Sequence, residues 1–143
     1  MVCSSSAIED IAKLVVTELD LFSRSSESDI STTLLVFPEG LEDFGNYLLL
    51  VDDADSLLEE MGLRGQIQVV SFHPDYLFEG EPIDSLSHFT NRSPYPLIHL
   101  LREEMVTRAL EAYVSSERIT EHNIQTLESL GASGIEHLFL ALD

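Results

Sequence analysis

The sequence is poor in basic residues, in cysteine and in long apolar runs, and each shortage excludes a class of protein. Only 7 Lys and Arg stand against 26 Asp and Glu in the 143 residues, which makes the formal net charge −19. A surface of that sign repels phosphate groups, so we expect no nucleic-acid partner and no anionic membrane partner. The one cysteine, Cys3, excludes an internal disulfide and a cysteine-rich zinc site.

Membrane-spanning and secretory patterns are also missing. No apolar run approaches the roughly 18 residues that a spanning helix needs, and the run 47–51, for example, stops at Asp52. Residues 1–6 have neither the basic start nor the apolar stretch of a signal peptide. Because a lone thiol suits a reducing compartment, we expect a cytoplasmic protein. The apolar share of 44% is typical of a globular chain, and the length fits one domain, 1–143.

The spacing of apolar residues predicts helices that alternate with short strands. Helices are expected at 7–22, at 41–61, from the Ser93-Pro94 cap to Tyr113 and from Ser116 to Gly131, and strands at 2–4, 32–37 and 66–72. Residues 73–91 are expected to form a long loop, and a last short helix is expected after Gly131, with a strand at 137–142 as its alternative.

A helix between successive strands implies parallel neighbours, so this element order predicts the fold class. The order β-α-β-α-β-α-α predicts an α/β fold with a small, mostly parallel sheet. The alternative is an α+β ferredoxin-like layer, whose antiparallel strand is hidden in the long loop or in the tail.

Acidic residues are absent from two stretches, 61–74 and 86–102, although basic residues and histidines occur in both. In the predicted fold, His73 follows the carboxyl end of a strand and Arg92 precedes the amino end of a helix. Open α/β sheets bind ligands at such ends. We therefore expect the stretches to meet at a site for a small carboxylate or phosphate, held by Arg92, helix N–H groups and His73. The alternative is that residues 91–94 form only a turn and a helix cap, with Arg92 paired to a carboxylate.

Other chemistries have weaker support in the sequence. The spacing of His73, His88 and His99 matches no metal-ligand pattern, so no metal site is predicted, and no cofactor can be named. The glycine-rich phosphate loops and the serine nucleophile motif are absent. A hydrolase or transferase that uses His73 as a general base ranks third, and whether the chain is an enzyme stays open.

The second function that we consider is protein interaction without chemistry. The apolar tail at 138–142 and the acidic surface predict a protein partner or self-association. The alternative is that the tail packs against the sheet as ordinary core.

Four strings of residues resemble an uncharacterised, mainly bacterial family, the domain of unknown function numbered fourteen-fifteen. They are 32–38, 41–44, Ser71-Phe72-His73-Pro74-Asp75-Tyr76-Leu77-Phe78 and the run from Asn91-Arg92-Ser93-Pro94-Tyr95-Pro96 to Glu103. The resemblance covers roughly residues 31–131 and implies no activity.

The resemblance marks the strings around His73 and Arg92 as signatures of the family. The candidate ligand-binding residues are therefore His73, Asp75, Tyr76, Asn91, Arg92, Ser93, His99 and Arg102. The sequence differs from the family pattern in one respect. Family members usually begin earlier, with an Asn-Leu-Cys-Pro-Phe string, and Cys3 has no proline after it. We expect this chain to lack that segment and do not equate the two cysteines.

Overall fold

The computed structural model describes residues 1–112 and 118–140, and it contains helices, three strands and one 3-10 helix. In chain order the elements are α1 (Ile8–Arg24), β1 (Thr32–Val36), α2 (Phe44–Glu60), β2 (Ile67–Phe72), the 3-10 helix (Leu86–Thr90), β3 (Leu97–Arg102), α3 (Glu103–Ala112) and α4 (Ile119–Leu140). None of the helices in these described ranges is long and apolar enough to cross a membrane.

The three strands form one antiparallel sheet in the order β1-β3-β2. β3 lies in the centre and pairs antiparallel with both neighbours, so that Ile98 lies opposite Leu35 on one side and opposite Ser71 on the other. α2 connects β1 to β2, which run in the same direction but are separated by β3. Val2 forms an isolated parallel bridge with Val36, at the position of the weak first strand expected at 2–4.

The predicted α/β fold with a mostly parallel sheet is wrong. Its error lies at β3, which we assigned to a helix because Leu97, Leu100 and Leu101 fit helical spacing. A run of six residues also fits strand alternation, and periodicity alone cannot separate the two. Pairing with two neighbouring strands decides the outcome. The ferredoxin-like alternative expected a hidden antiparallel strand, but it placed that strand in the loop or the tail.

One face of the sheet packs against α1 and α2 and forms the core. The buried residues from these elements are Ile11, Val15, Leu19 and Phe22 of α1, Tyr47, Leu50, Ala54 and Leu58 of α2, and Leu35, Ile67, Ile98 and Leu100 of the sheet. The buried residues of α1 follow the spacing that predicts a helix at 7–22. The strands at 32–37 and 66–72 and the helix at 41–61 are also found, with ends shifted by a few residues.

The other face of the sheet, which we call the outer face, carries no charged residue. Strand alternation assigns to it Thr32, Leu34, Val36, Gln68, Val70, Phe72, Leu97, His99 and Leu101. Leu34 is 46% exposed there. α3 follows β3 directly and contains no buried residue.

α4 consists of two helical parts that meet at Gly131. This residue has φ +67°, in the left-handed region, and interrupts α4 where the sequence predicted a helix end. The chain beyond it is helical to Leu140, so the strand alternative at 137–142 is wrong over the described residues, and positions 141–142 lie outside them. Ile135 is buried and Leu138 is 59% exposed, so the part of α4 after Gly131 is only partly packed.

Candidate functional site

His73 connects the end of β2 to the body of the protein. Its side chain is 0% exposed. Nε2 donates to the Leu41 carbonyl at 2.9 Å, and Nδ1 accepts the Asp75 N–H at 3.0 Å. Since a carbonyl can only accept, the ring hydrogen is on Nε2. Both ring nitrogens are engaged with the main chain, so His73 holds the start of the 73–91 segment and has no free ring nitrogen in this structure.

His88 repeats this arrangement inside the 73–91 segment. Its Nε2 donates to the Pro82 carbonyl at 2.8 Å, and its Nδ1 accepts the Phe78 N–H at 3.1 Å. The ring is completely buried. The segment, which the sequence predicts as a long loop, is thus held by two histidines through four main-chain contacts.

Tyr47 of α2 joins the ends of β2 and β3. Its hydroxyl donates to the Leu97 carbonyl at 2.8 Å and accepts the Phe72 N–H at 2.9 Å. Burial raises the pKa of Tyr47 far above its ordinary value, because the phenolate would be desolvated. The hydroxyl therefore stays protonated and acts as a fixed donor beside His73, whose ring centroid is 5.0 Å away.

The two acid-free stretches, 61–74 and 86–102, lie side by side next to Tyr47 and His73. The Asn91 carbonyl accepts the His73 N–H at 3.1 Å, and the Asn91 side-chain amide donates to the Ser71 carbonyl at 3.0 Å. Arg92 Nε donates to the Tyr76 carbonyl at 3.3 Å. Asn91 and Tyr76 are thus positioning residues, which hold Arg92 against the end of β2. The Asp75 side chain is exposed, and only its backbone N–H joins this network.

Arg92 differs from most of the basic side chains in this acidic chain. Four arginines form ion pairs with carboxylates, namely Arg24, Arg64, Arg108 and Arg118. Within residues 1–112 and 118–140, no carboxylate lies within ion-pair distance of Arg92, and its two terminal amino groups make no hydrogen bond. Its guanidinium carbon lies 4.5 Å from the centroid of the Phe89 ring. The predicted alternative, in which Arg92 pairs with a carboxylate, is not what the described residues form.

The helix amino end that the sequence predicts beside Arg92 does not exist. Residues 93–96 are irregular and lead into β3. The Ser93 hydroxyl donates to the Tyr95 carbonyl at 2.6 Å, so Ser93 stabilises a turn and caps no helix. No helix N–H groups are available to an anion here.

His99 and Arg102 are not part of this cluster, because they belong to β3. His99 lies on the outer face, where its Nε2 makes a hydrogen bond with the Thr32 hydroxyl. Burial lowers the pKa of His99. Arg102 is at the far end of the strand, about 17 Å along the chain direction from Leu97.

Arg102 caps the carboxyl end of α1. Its guanidinium donates to the carbonyls of Phe22 at 3.1 Å, of Ser25 at 2.8 Å and of Ile30 at 2.9 Å. The guanidinium carbon also lies 4.3 Å from the centroid of the Phe22 ring. A cation at this end of a helix satisfies unpaired carbonyls and complements the helix dipole. Arg102 is therefore structural.

A cavity of ≈ 260 Å³, which we call the α4 cavity, lies between the 3-10 helix and α4. It is lined by Phe89, Thr90, Asn123, Thr126 and Leu127. No pattern in the sequence marks these residues, because only the packing of α4 on the 3-10 helix brings them together. Phe89 belongs both to this cavity and to the surroundings of Arg92. Within the described ranges, no three His, Cys, Asp or Glu side chains are close enough to hold a metal ion.

Comparison with known families identifies the relatives of this chain. A family model described as protein of unknown function (DUF1415) matches residues 1–137. The chain belongs to DUF1415. This confirms the resemblance and extends it beyond residues 31–131, and the match includes His73, Arg92 and the α4 cavity. The description of DUF1415 names no activity. No curated protein and no solved structure matches the chain significantly.

Proposed function

We propose that this DUF1415 protein binds a small anion, a carboxylate or a phosphate, at Arg92. The observation that carries the proposal is that the Arg92 guanidinium has no carboxylate partner among the described residues of a chain with 26 acidic side chains. A partly buried cation without a counter-ion favours an external anion, since pairing would recover the lost electrostatic stabilisation.

The orientation of Arg92 supports this role. The Tyr76 carbonyl takes the Nε hydrogen and the Phe89 ring packs on the guanidinium, so the side chain is held before a ligand arrives. The terminal amino groups make no hydrogen bond to the described residues, and paired guanidinium donors match the oxygens of a carboxylate or a phosphate. We expect fewer than the eight candidate residues to contact the anion, because His73 and Asn91 position the backbone and Ser93 stabilises a turn.

Replacement of Arg92 tests the proposal. Inorganic phosphate, titrated into the isotope-labelled protein, is expected to shift the Arg92 Nε–H resonance, and Arg92→Gln is expected to weaken binding at least about tenfold. The matched control is Arg64→Gln, because Arg64 lies in the other acid-free stretch, is 71% exposed and pairs with Glu59 at 3.4 Å. Equal phosphate affinity for the wild type and for Arg92→Gln would refute the proposal.

Self-association through the outer face is a second candidate function. The supporting observation is that nine outer-face positions carry no charge in a chain of net charge −19, so two copies could meet there without burying a carboxylate. Paired copies are the commonest protein assembly. The C-terminal tail is another surface for the same role, and Leu138, the described side chain of 138–142, is 59% exposed.

The mass of the protein in solution tests this second candidate. We expect light scattering to find a dimer for the wild type and a monomer for Leu34→Glu, because the substitution would bury a carboxylate in the apolar contact. Leu49→Glu is the control, since Leu49 is exposed on α2, away from the outer face. A monomeric wild type would rule the candidate out.

A further inference from the structure

We infer that the anion at Arg92 belongs to a ligand with a small, uncharged, ring-sized body, and that this body occupies the α4 cavity. The inference rests on the proposed function and names the class of its ligand: an aryl or small-ring phosphate or carboxylate. The juxtaposition that carries it is Phe89, whose ring lies 4.5 Å from the Arg92 guanidinium carbon and also lines the cavity.

The lining of the α4 cavity suits an uncharged body. Phe89 and Leu127 supply apolar surface, and no acidic or basic side chain lines the cavity among the described residues. A charged body would lose its hydration there without gaining an ion pair, whereas an apolar ring gains from leaving water.

The polar lining atoms limit what the ring can carry. The Thr90 hydroxyl donates to the Ser87 carbonyl at 2.8 Å, and the Thr126 hydroxyl donates to the His122 carbonyl at 2.9 Å. Both hydroxyl hydrogens are used, so these oxygens can only accept from a ligand. The Asn123 amide has no hydrogen-bond partner in the described part of the chain, and it can donate or accept. A single polar substituent on the ring is therefore accommodated.

The volume limits the part of the ligand that the cavity can surround. Pockets for drug-sized molecules measure roughly 300–1,000 Å³. The α4 cavity, at ≈ 260 Å³, is open to solvent and below that range, so it surrounds about one ring.

Three probes separate the contributions of charge and ring: inorganic phosphate, phenyl phosphate and phenol. Binding is followed by the resonances of Arg92 Nε–H and of the Asn123 side-chain amide. We expect phenyl phosphate to bind the wild type about tenfold more tightly than phosphate, because the ring leaves water. Leu127→Trp is expected to abolish this tenfold difference and to leave phosphate binding unchanged, because the indole fills the cavity. Asn123→Trp is a second blocking variant at an exposed position, in case Leu127→Trp folds poorly.

Gln125→Trp is the matched control, since Gln125 is exposed on α4, on the helix face opposite to the lining residues. If phosphate binds at Arg92 and phenyl phosphate binds no more tightly, the inference is wrong and the proposed function stands. If phenol binds as well as phenyl phosphate and phosphate does not bind, the proposed function is wrong and the ligand is not an anion. If Gln125→Trp has the same effect as Leu127→Trp, the ring does not lie in the cavity.

Discussion

Arg102→Ala is expected to lower the free energy of unfolding by about 3 kcal/mol. The guanidinium donates to three carbonyls at the end of α1 and in the segment that follows it, and these belong to Phe22, Ser25 and Ile30. Alanine leaves all three without this donor and also removes the packing on the Phe22 ring. Urea denaturation, monitored by circular dichroism, measures the loss.

Two variants separate the effect of helix capping on stability from the effect of the positive charge. Arg102→Lys keeps the charge but replaces the planar fork with a single ammonium group, so it should recover about half of the loss. Arg24→Ala removes a cation from the same helix end, but that side chain is 78% exposed and forms a surface ion pair with Asp20, so we expect a loss of about 0.5 kcal/mol. If Arg102→Ala costs no more than Arg24→Ala, the guanidinium does not cap the helix.

His73→Phe is expected to cost about 3 kcal/mol, although it keeps a ring of similar size. The substitution leaves the buried Leu41 carbonyl and the partly buried Asp75 N–H without their partners at 2.9 and 3.0 Å. The Leu41 contact joins positions that are 32 residues apart, so its loss detaches the start of the 73–91 segment from the protein body. The same denaturation measurement applies, together with hydrogen exchange of the Asp75 amide.

The two controls for His73 are other histidines. His122→Phe changes an exposed residue of α4 and should alter stability by less than about 0.5 kcal/mol. His88→Phe removes two contacts that both lie within the 73–91 segment, so it should speed exchange of the Phe78 amide with a smaller loss of global stability. A His73→Phe variant as stable as the wild type would contradict the structural role.

Three of the predicted site residues bond to the main chain in the structure. His73, Ser93 and Arg102 have the side chains of an anion site, yet each satisfies main-chain groups. Buried carbonyls and N–H groups must find partners, and a buried histidine or arginine often serves them. Sequence cannot separate this use from ligand binding, because the main-chain groups served by His73 and Arg102 come largely from distant parts of the chain.

The error in the fold has a similar origin. Within the predicted helix from Ser93 to Tyr113, residues 97–102 form β3 and residues 103–112 form α3, while Tyr113 lies outside the described residues. Leu97, Leu100 and Leu101 satisfy helical and strand spacing alike over so short a run. The segment 97–102 forms a strand because it pairs with β1 on one side and with β2 on the other. The predicted parallel sheet would instead have paired β1 directly with β2.

The sequence by itself determined the features that depend on local pattern and composition: α1, α2, β1, β2, the helix break at Gly131, the acid-free stretches and membership of DUF1415. Only the tertiary structure decided that β3 occupies the centre of an antiparallel sheet, that Arg102 caps α1, and that Arg92 and the α4 cavity share Phe89. The physical reason is distance along the chain. Helix periodicity, turns and charge are properties of neighbouring residues, whereas strand pairing, hydrogen-bond satisfaction and cavities depend on residues that meet only after folding.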